Sequence, residues 1–418
     1  VIITLLGIFG APWLIYISAP GFVSNPQKFE LTVDLLRIIF PYIFFISLVS
    51  MAGGVLNTFG KFSVPAFTPV WLNISFIISA LFFADYFSQP IFVLAWAVFF
   101  GGILQLSFQI PFLKKIGYLP SLDFNFNDPG VWRVIKLMGP SILGVSVAQI
   151  SLLINTVFAS FLAVGSVSWL YYADRLIEFP VGVLGVALST VLLPSLSRSL
   201  ANNKKSEYSS LINWGIKLGI LTAAPASAAL VILSIPLITT LFFYGAFQET
   251  DVLMTHNALI AYSVGLIGLI QIKIIAPAFY AQQNVKTPVK IAIFTLFCTQ
   301  FMNLIFIGIF QHAGLALAIG LGACINAGLL FFFLQKSKLF KLDSNIFKFI
   351  IKVLVSAGIM SAVLFYFKGS TEDWLNYSAI SRVGNLIFLI FVGTVVYFIS
   401  LKCCGIELTK FLKKNHNY

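Results

Sequence analysis

Charge is what this sequence has least of: of its 418 residues, only 10% are Asp, Glu, Lys or Arg. A water-soluble domain carries about 25%, so a soluble fold of this size is excluded. Histidine and cysteine are scarce too, at three and four residues. His256, His312 and His416 stand far apart in sequence, and Cys298, Cys324, Cys403 and Cys404 sit in or beside apolar runs. Neither a disulfide framework nor a metal site is indicated. The chain has no GxxxxGK[ST] loop to cradle a nucleoside triphosphate, no GxSxG nucleophile turn, no HExxH zinc helix and no Asp-rich pair at metal spacing. Hydrolysis of ATP by a P-loop is excluded, no cofactor is implied, and the reading is a protein that is not an enzyme.

What fills the sequence instead is apolar. Hydrophobic residues make up 59% of it, and the mean hydropathy is +0.98. Spanning a bilayer takes about 20 apolar residues as a helix. Charge gaps and turn residues together mark twelve such segments: 1–18, 38–59, 64–84, 91–113, 138–163, 176–197, 214–240, 257–281, 289–310, 314–335, 349–367 and 383–401. The 45-residue uncharged run 291–335 must fold back, and Gln311-His312-Ala313-Gly314 is its polar break. The expected fold class is all-α, a polytopic membrane helix bundle. Val1–Ser18 lacks the charged start and small-residue cleavage site of a signal peptide; it reads as part of a span, with more of the protein preceding it.

Orientation follows from the basic residues. Twenty fall on one side, including Lys61, Lys114, Lys115, Arg133, Lys136, Arg198, Lys204, Lys205, Lys217, Lys286, Lys341 and Lys402. Five fall on the other, namely Lys28, Arg37, Arg175, Lys368 and Arg382, and Lys273 lies inside a span. The first set is expected in the cytoplasm, with both ends of the chain. The net charge of +12 thus marks a membrane face, not a nucleic-acid partner. Gly60-Lys61-Phe62-Ser63-Val64-Pro65 after the second segment and Gln283-Asn284-Val285-Lys286-Thr287-Pro288 after the eighth suggest a parallel repeat across six spans. Similar short loops explain the match equally well.

Charges inside a membrane are the first functional candidates. The densest cluster is Tyr171-Tyr172-Ala173-Asp174-Arg175-Leu176-Ile177-Glu178-Phe179-Pro180, at the exterior-side start of the sixth segment. On a helix, Asp174 and Glu178 are i,i+4 neighbours and Arg175 lies three residues from Glu178. Two acids around one guanidinium can orient it to grip a phosphate bidentately, or titrate; the same string also fits a simple interfacial ion pair at a helix start. Lys273 can snorkel to the interface or serve as a second phosphate contact. Asp34 and Arg37 read as an interfacial pair. Asn73, Gln149, Asn155, Gln300, Asn303 and Asn326 read as interhelical hydrogen-bonding groups, and Gly53, Gly54, Gly101, Gly102, Gly182, Gly185, Gly320 and Gly322 as close-packing positions. Pro140 and Pro180 suit either a kink or a helix opening.

The run Gly139-Pro140-Ser141-Ile142-Leu143-Gly144-Val145-Ser146, through Ile154-Asn155-Thr156 and Ser166-Val167-Ser168-Trp169 into Asp174-Arg175-Leu176, resembles the MurJ (MviN) family of the multidrug/oligosaccharidyl-lipid/polysaccharide exporter superfamily. Phe179-Pro180, Leu193-Pro194-Ser195-Leu196-Ser197, Lys286-Thr287-Pro288-Val289-Lys290 and His312-Ala313-Gly314-Leu315 extend the likeness over essentially the whole chain. The resemblance implies a lipid II flippase: fourteen helices in two lobes around a central cavity, about twelve of them here, the family's first two being absent. Residues 1–113 then belong to the N-terminal lobe (helices 3–6), 114–137 to a cytoplasmic linker and 138–335 to the C-terminal lobe (helices 7–12). Residues 336–418 hold two further helices, which build a lipid-tail groove, and a tail. Arg175 takes the place of the family's eighth-helix arginine, with Asp174 and Glu178 as its acids.

The expected substrate is the undecaprenyl-pyrophosphate-linked peptidoglycan precursor, moved by alternating access from the cytoplasmic to the periplasmic leaflet of the bacterial inner membrane. The membrane potential or an ion gradient would drive it. Partners are lipid II and membrane lipids, with other cell-wall synthesis proteins as further candidates. An exporter of another polyprenyl-linked glycan or a small molecule, or a multipass glycan polymerase or transferase, is the alternative.

Overall fold

The computed structural model describes residues 1–118, 129–337 and 339–407, and between 129 and 148 it describes the backbone with only a few side chains. Residues 119–128 of the expected linker, and the side chains of Arg133, Lys136, Lys338, Lys410, Lys413 and Lys414, lie outside the described residues. The described chain is helical, with no strand, and divides into two compact units, 1–140 with 156–161 and 141–155 with 162–418.

The first unit holds α1 (Ile2–Phe9), α2 (Ala11–Ser18), α3 (Pro26–Ile39), α4 (Tyr42–Thr58), α5 (Ser63–Phe82) and α6 (Ile91–Lys115), and α7 (Pro129–Ser160) contributes to both units. Several of its buried polar groups meet between helices: Tyr42 donates to Gln105 at 3.1 Å, Gln109 to Thr68 at 2.9 Å, and Ser75 to the Ala97 carbonyl at 2.7 Å. With no water in hydrocarbon, such groups must find partners inside the protein.

The second unit holds α8 (Ser166–Pro180), a π-helical segment (Val181–Val186), α9 (Ala187–Ala201), α10 (Lys205–Ile232), α11 (Ser234–Phe242), α12 (Glu249–Ser263), α13 (Leu266–Ala281), α14 (Lys286–Phe310), α15 (His312–Lys336), α16 (Ile346–Phe367), α17 (Thr371–Asn376) and α18 (Ala379–Cys403). Helix α14 shows why this is a membrane fold. Its buried stripe is Ile291, Thr295, Thr299 and Asn303, while Phe294, Phe297, Phe301 and Leu304 are exposed. A soluble helix hides its aromatic face; this one turns it outward and keeps its polar atoms inside. Asn303 donates across to Asn155 of α7 at 2.8 Å.

Among the described residues, nine helices are long and apolar enough to cross a membrane, and α12 with α13 makes a tenth span bent by 42°. The two remaining expected segments differ in kind. Residues 1–18 are split at Gly10 into two eight-residue helices, and α7 begins at Pro129, nine residues ahead of its expected start, with Pro140 in its interior. Other expected starts also move toward the N-terminus, two of them by ten residues or more. The second span begins at Pro26, where Asn25 caps the Lys28 N–H, so the exposed Asp34–Arg37 pair (3.2 Å) lies along that helix. The sixth begins at Ser166, so Pro180 falls inside the span and does not open it.

Contacts fix the two ends of the second unit. At one end, Trp169 donates to Asp251 (2.7 Å) and stacks near His312 (5.1 Å between ring centroids), and Arg382 reaches the end of α11 and α17. At the other, Tyr208 donates to the Ala278 carbonyl (2.7 Å), Asn213 to the Lys341 carbonyl (2.8 Å), and Lys217 pairs with Asp343. The expected cytoplasmic lysines of this unit share the second end.

Of the glycines, Gly101, Gly102, Gly185, Gly320 and Gly322 do sit where a Cβ would crowd a neighbour, but Gly54 and Gly182 face open space. The proposed repeat turns match closely. Gly60 (φ 71°) and Gln283 (φ 56°) are left-handed, and Lys61 and Asn284 return N–H groups to the Leu56 and Phe279 carbonyls. The same closure ends α6, α9 and α18, so it marks helix ends and does not single out a repeat.

Candidate functional site

Helix α8 buries Ala173, Ile177 and Pro180 and turns Tyr171, Arg175 and Glu178 outward, two faces set by the 3.6-residue period. Tyr172 fastens the helix through Phe242 and Phe247, at 4.8 and 5.3 Å between ring centroids. Gly165 (φ 105°) reverses the chain just before it, so Arg175 stands nine residues inside a fastened helix and not at its start.

The guanidinium of Arg175 meets Glu178 at 2.6 Å, has Asp174 at 3.7 Å and lies over the Tyr171 ring at 4.8 Å. The first contact is a charge-assisted hydrogen bond; the second is too long for one. Both predicted acids therefore flank the arginine. Of its five N–H donors, most stay uncommitted, and 48% of the side chain is exposed. The result is an oriented cation with a free donor edge. The platform ring of Tyr171 was invisible as such in the sequence, although its i,i+4 spacing to Arg175 was the available signal.

Lys273 lies elsewhere. Its stem runs over Gly185, where an added Cβ would stand 3.2 Å from Lys273 Cγ, and its side chain is exposed with no ion pair among the described residues. Gly185 is ten residues beyond Arg175 on the same span, about 15 Å along the axis. It is also near the middle of the 36-residue span Ser166–Ala201, which argues against simple snorkelling. The two cations thus occupy different depths.

Between them the span changes register. Pro180 has no N–H for the Leu176 carbonyl, the Val181 N–H is shared between its regular partner Ile177 and Glu178, and the six residues Val181–Val186 wind as a π-helix. Such segments frequently mark functional bends. Among the described residues no three His, Cys, Asp or Glu side chains come together to hold a metal.

Sequence reasoning missed Arg382, placed above among exterior charges. It is 7% exposed and donates to four backbone carbonyls, those of Trp374 (3.1 Å), Leu375 (2.9 Å), Phe243 (3.1 Å) and Thr239 (3.4 Å). Its signal was a cation in the first turn of an apolar helix, where the macrodipole disfavours it.

An oriented cation displayed on a jointed, membrane-crossing helix, in a bundle that turns much of its apolar surface outward, fits a membrane transporter for an anionic amphiphile. The comparisons with known proteins make this specific. The sequence model of the family "Lipid II flippase MurJ" matches residues 1–384, and the chain belongs to that family. It is 44% identical over 414 residues to the probable lipid II flippase MurJ of Buchnera aphidicola subsp. Acyrthosiphon pisum, covering 99% of this chain and 81% of that protein. It is equally 44% identical, over 419 residues, to the lipid II flippase MurJ of Burkholderia cenocepacia, with the same coverage of 99% and 81%. A solved lipid II flippase MurJ in an inward closed conformation superposes with a TM-score of 0.80 at 26% identity, over 95% of this chain and 79% of that one. An inward-facing multidrug transporter of the MATE family shares the fold, with a TM-score of 0.66 at 16% identity over 81% and 78% of the two chains.

Proposed function

We propose that this chain flips lipid II across the bacterial cytoplasmic membrane for peptidoglycan synthesis. The match of the flippase family to residues 1–384 carries the reading, and the free donor edge of Arg175 supports it chemically. The headgroup cannot cross hydrocarbon unaided, because its charges would lose their water without gaining partners. Arg175, oriented by Glu178 and Asp174, takes the place of water on the pyrophosphate, while the polyprenyl tail stays in lipid. Lys273, at another depth of the same path, serves as a second phosphate contact. Flexing at the π segment lets the two halves of its span move apart as access alternates. The membrane potential, worth about 2.3 kcal/mol per charge per 100 mV, or an ion gradient drives the cycle, and lipid II is released chemically unchanged.

Depletion of the protein from cells is expected to lower the lipid II accessible on the periplasmic face and to raise the pool inside. A new covalent product in place of that redistribution would mean a transferase.

The orientation has its own test. Lys204 and Lys341 lie at one end of the second unit and are placed in the cytoplasm; Glu249 and Glu372, both exposed, lie at the other. With the four native cysteines replaced, single cysteines at 249 and 372 should react with an impermeant reagent in intact spheroplasts, and one at 204 should not. Labelling at 204 alone would invert the topology.

A further inference from the structure

On the lysine-bearing end of the second unit, α9, α10 and the turn between them enclose a cavity of about 790 Å³. Three cations line it, Arg198 from α9 and Lys204 and Lys205 from the start of α10, against one acid, Glu207. Glu207 is committed to Lys204 at 3.4 Å, and neither Arg198 nor Lys205 meets a carboxylate among the described residues. Apolar side chains also line it, among them the buried Leu192 and the half-buried Leu211 and Trp214.

This arrangement is electrostatically unfavourable as it stands. Two lysines stand at the start of a 28-residue helix, the end at which the macrodipole repels cations, against one first-turn acid, Glu207, and the Lys204 side chain does not cap the helix. The turn is nevertheless held in shape. Asn203 adopts a left-handed φ of 56°, Lys204 returns its N–H to the Ser199 carbonyl at 2.8 Å, and the buried Tyr208 ties the helix start to the Ala278 carbonyl. An anion in the cavity would balance Arg198 and Lys205 together and lie at the positive end of the α10 dipole.

We propose that this cavity is a second phosphate-binding site, separate from Arg175, and that it takes the phosphate of an anionic lipid headgroup. The fork of Arg198 suits two phosphate oxygens and Lys205 supplies a point charge. The apolar wall with Trp214 favours a lipid over a soluble phosphate, because tryptophan settles at the headgroup level of a bilayer.

Thermal shift titrations of the whole purified chain in neutral detergent test this, with dihexanoyl phosphatidic acid, dihexanoyl phosphatidylcholine and inorganic phosphate as probes. Phosphatidic acid should stabilise saturably and the zwitterionic lipid should not. The double change Arg198→Gln/Lys205→Gln should weaken the phosphatidic acid effect about tenfold, both side chains being exposed and outside the core. Glu207→Gln, which releases Lys204, should strengthen it, a result that misfolding cannot imitate. The effect should also survive Arg175→Ala. Equal response to the two lipids, no loss in the double variant, or loss in Arg175→Ala would each overturn the site. Inorganic phosphate binding as tightly as phosphatidic acid would overturn its assignment to a lipid.

Discussion

Replacing Arg175 by alanine is expected to abolish flipping while the protein stays in the membrane at its normal level. The side chain is 48% exposed, and among the described residues its ion-pair and ring contacts are with Glu178, Asp174 and Tyr171. Exposed ion pairs contribute about 0–1 kcal/mol, so the fold loses little. A bidentate grip on phosphate is a different matter: two charge-assisted hydrogen bonds lost amount to about 3–6 kcal/mol, a hundredfold or more in binding. Arg175→Lys should also flip poorly, since an ammonium keeps the charge and loses the fork. Glu178→Gln and Asp174→Asn should be milder if these acids only orient the guanidinium, with Glu178, at 2.6 Å, mattering more than Asp174 at 3.7 Å. Equal severity would show an acid titrating in the cycle. The measurement is lipid II exposed on the outer leaflet, normalised to protein level. Normal flipping by Arg175→Ala at wild-type abundance would remove the grip and leave Lys273 to carry it.

Arg382→Ala should act in the opposite way, through the fold. A lone buried charge is costly unless its donors are met, and here four carbonyls at the ends of α11 and α17 meet them, with the Phe243 ring 4.8 Å beneath. Both helices direct the negative ends of their dipoles at the guanidinium. Removing it leaves the carbonyls buried without donors, a loss of about 3–5 kcal/mol by analogy with a broken buried pair. The expected readouts are a lower melting temperature in detergent and proteolysis within residues 368–378, the stretch that Arg382 and the capping box of Ser370 and Asp373 hold in place. Arg382→Lys should recover part of the stability, having three donors for four acceptors. Wild-type melting of Arg382→Ala would show the carbonyls to be satisfied in another way.

These two arginines show what one-dimensional reading reaches. The Arg175 cluster was legible because its partners lie one and three residues away, within a single turn of helix. Arg382 was not, because two of its four acceptors belong to residues 139 and 143 positions distant, and sequence alone made it one more exterior charge. Lys273 shows the same limit: its depth is set by Gly185 on another helix. Long uncharged runs located nearly every span, since hydrocarbon imposes that pattern directly. They misplaced the start of α3, whose Lys28, Glu30, Asp34 and Arg37 break the run, although Asn25-Pro26 is a proper helix opening. They likewise placed the sixth span's start at 176, ten residues late, so that Arg175 looked like a terminal residue and Pro180 like an opener.

The register change after Pro180 has a consequence for solvent. The Leu176 carbonyl lacks its usual helical donor, the π turns that follow strain the regular ladder, and the Lys273 ammonium stands exposed at a similar level of the span. Such groups persist at mid-bilayer depth only where protein or water solvates them. Protein or water must therefore solvate this segment, and water drawn in there would raise the local dielectric and lower the barrier a pyrophosphate meets before any side chain touches it. In this light Pro180 does more than bend a helix: it leaves a bare carbonyl deep in the span, at a level that needs a solvating partner.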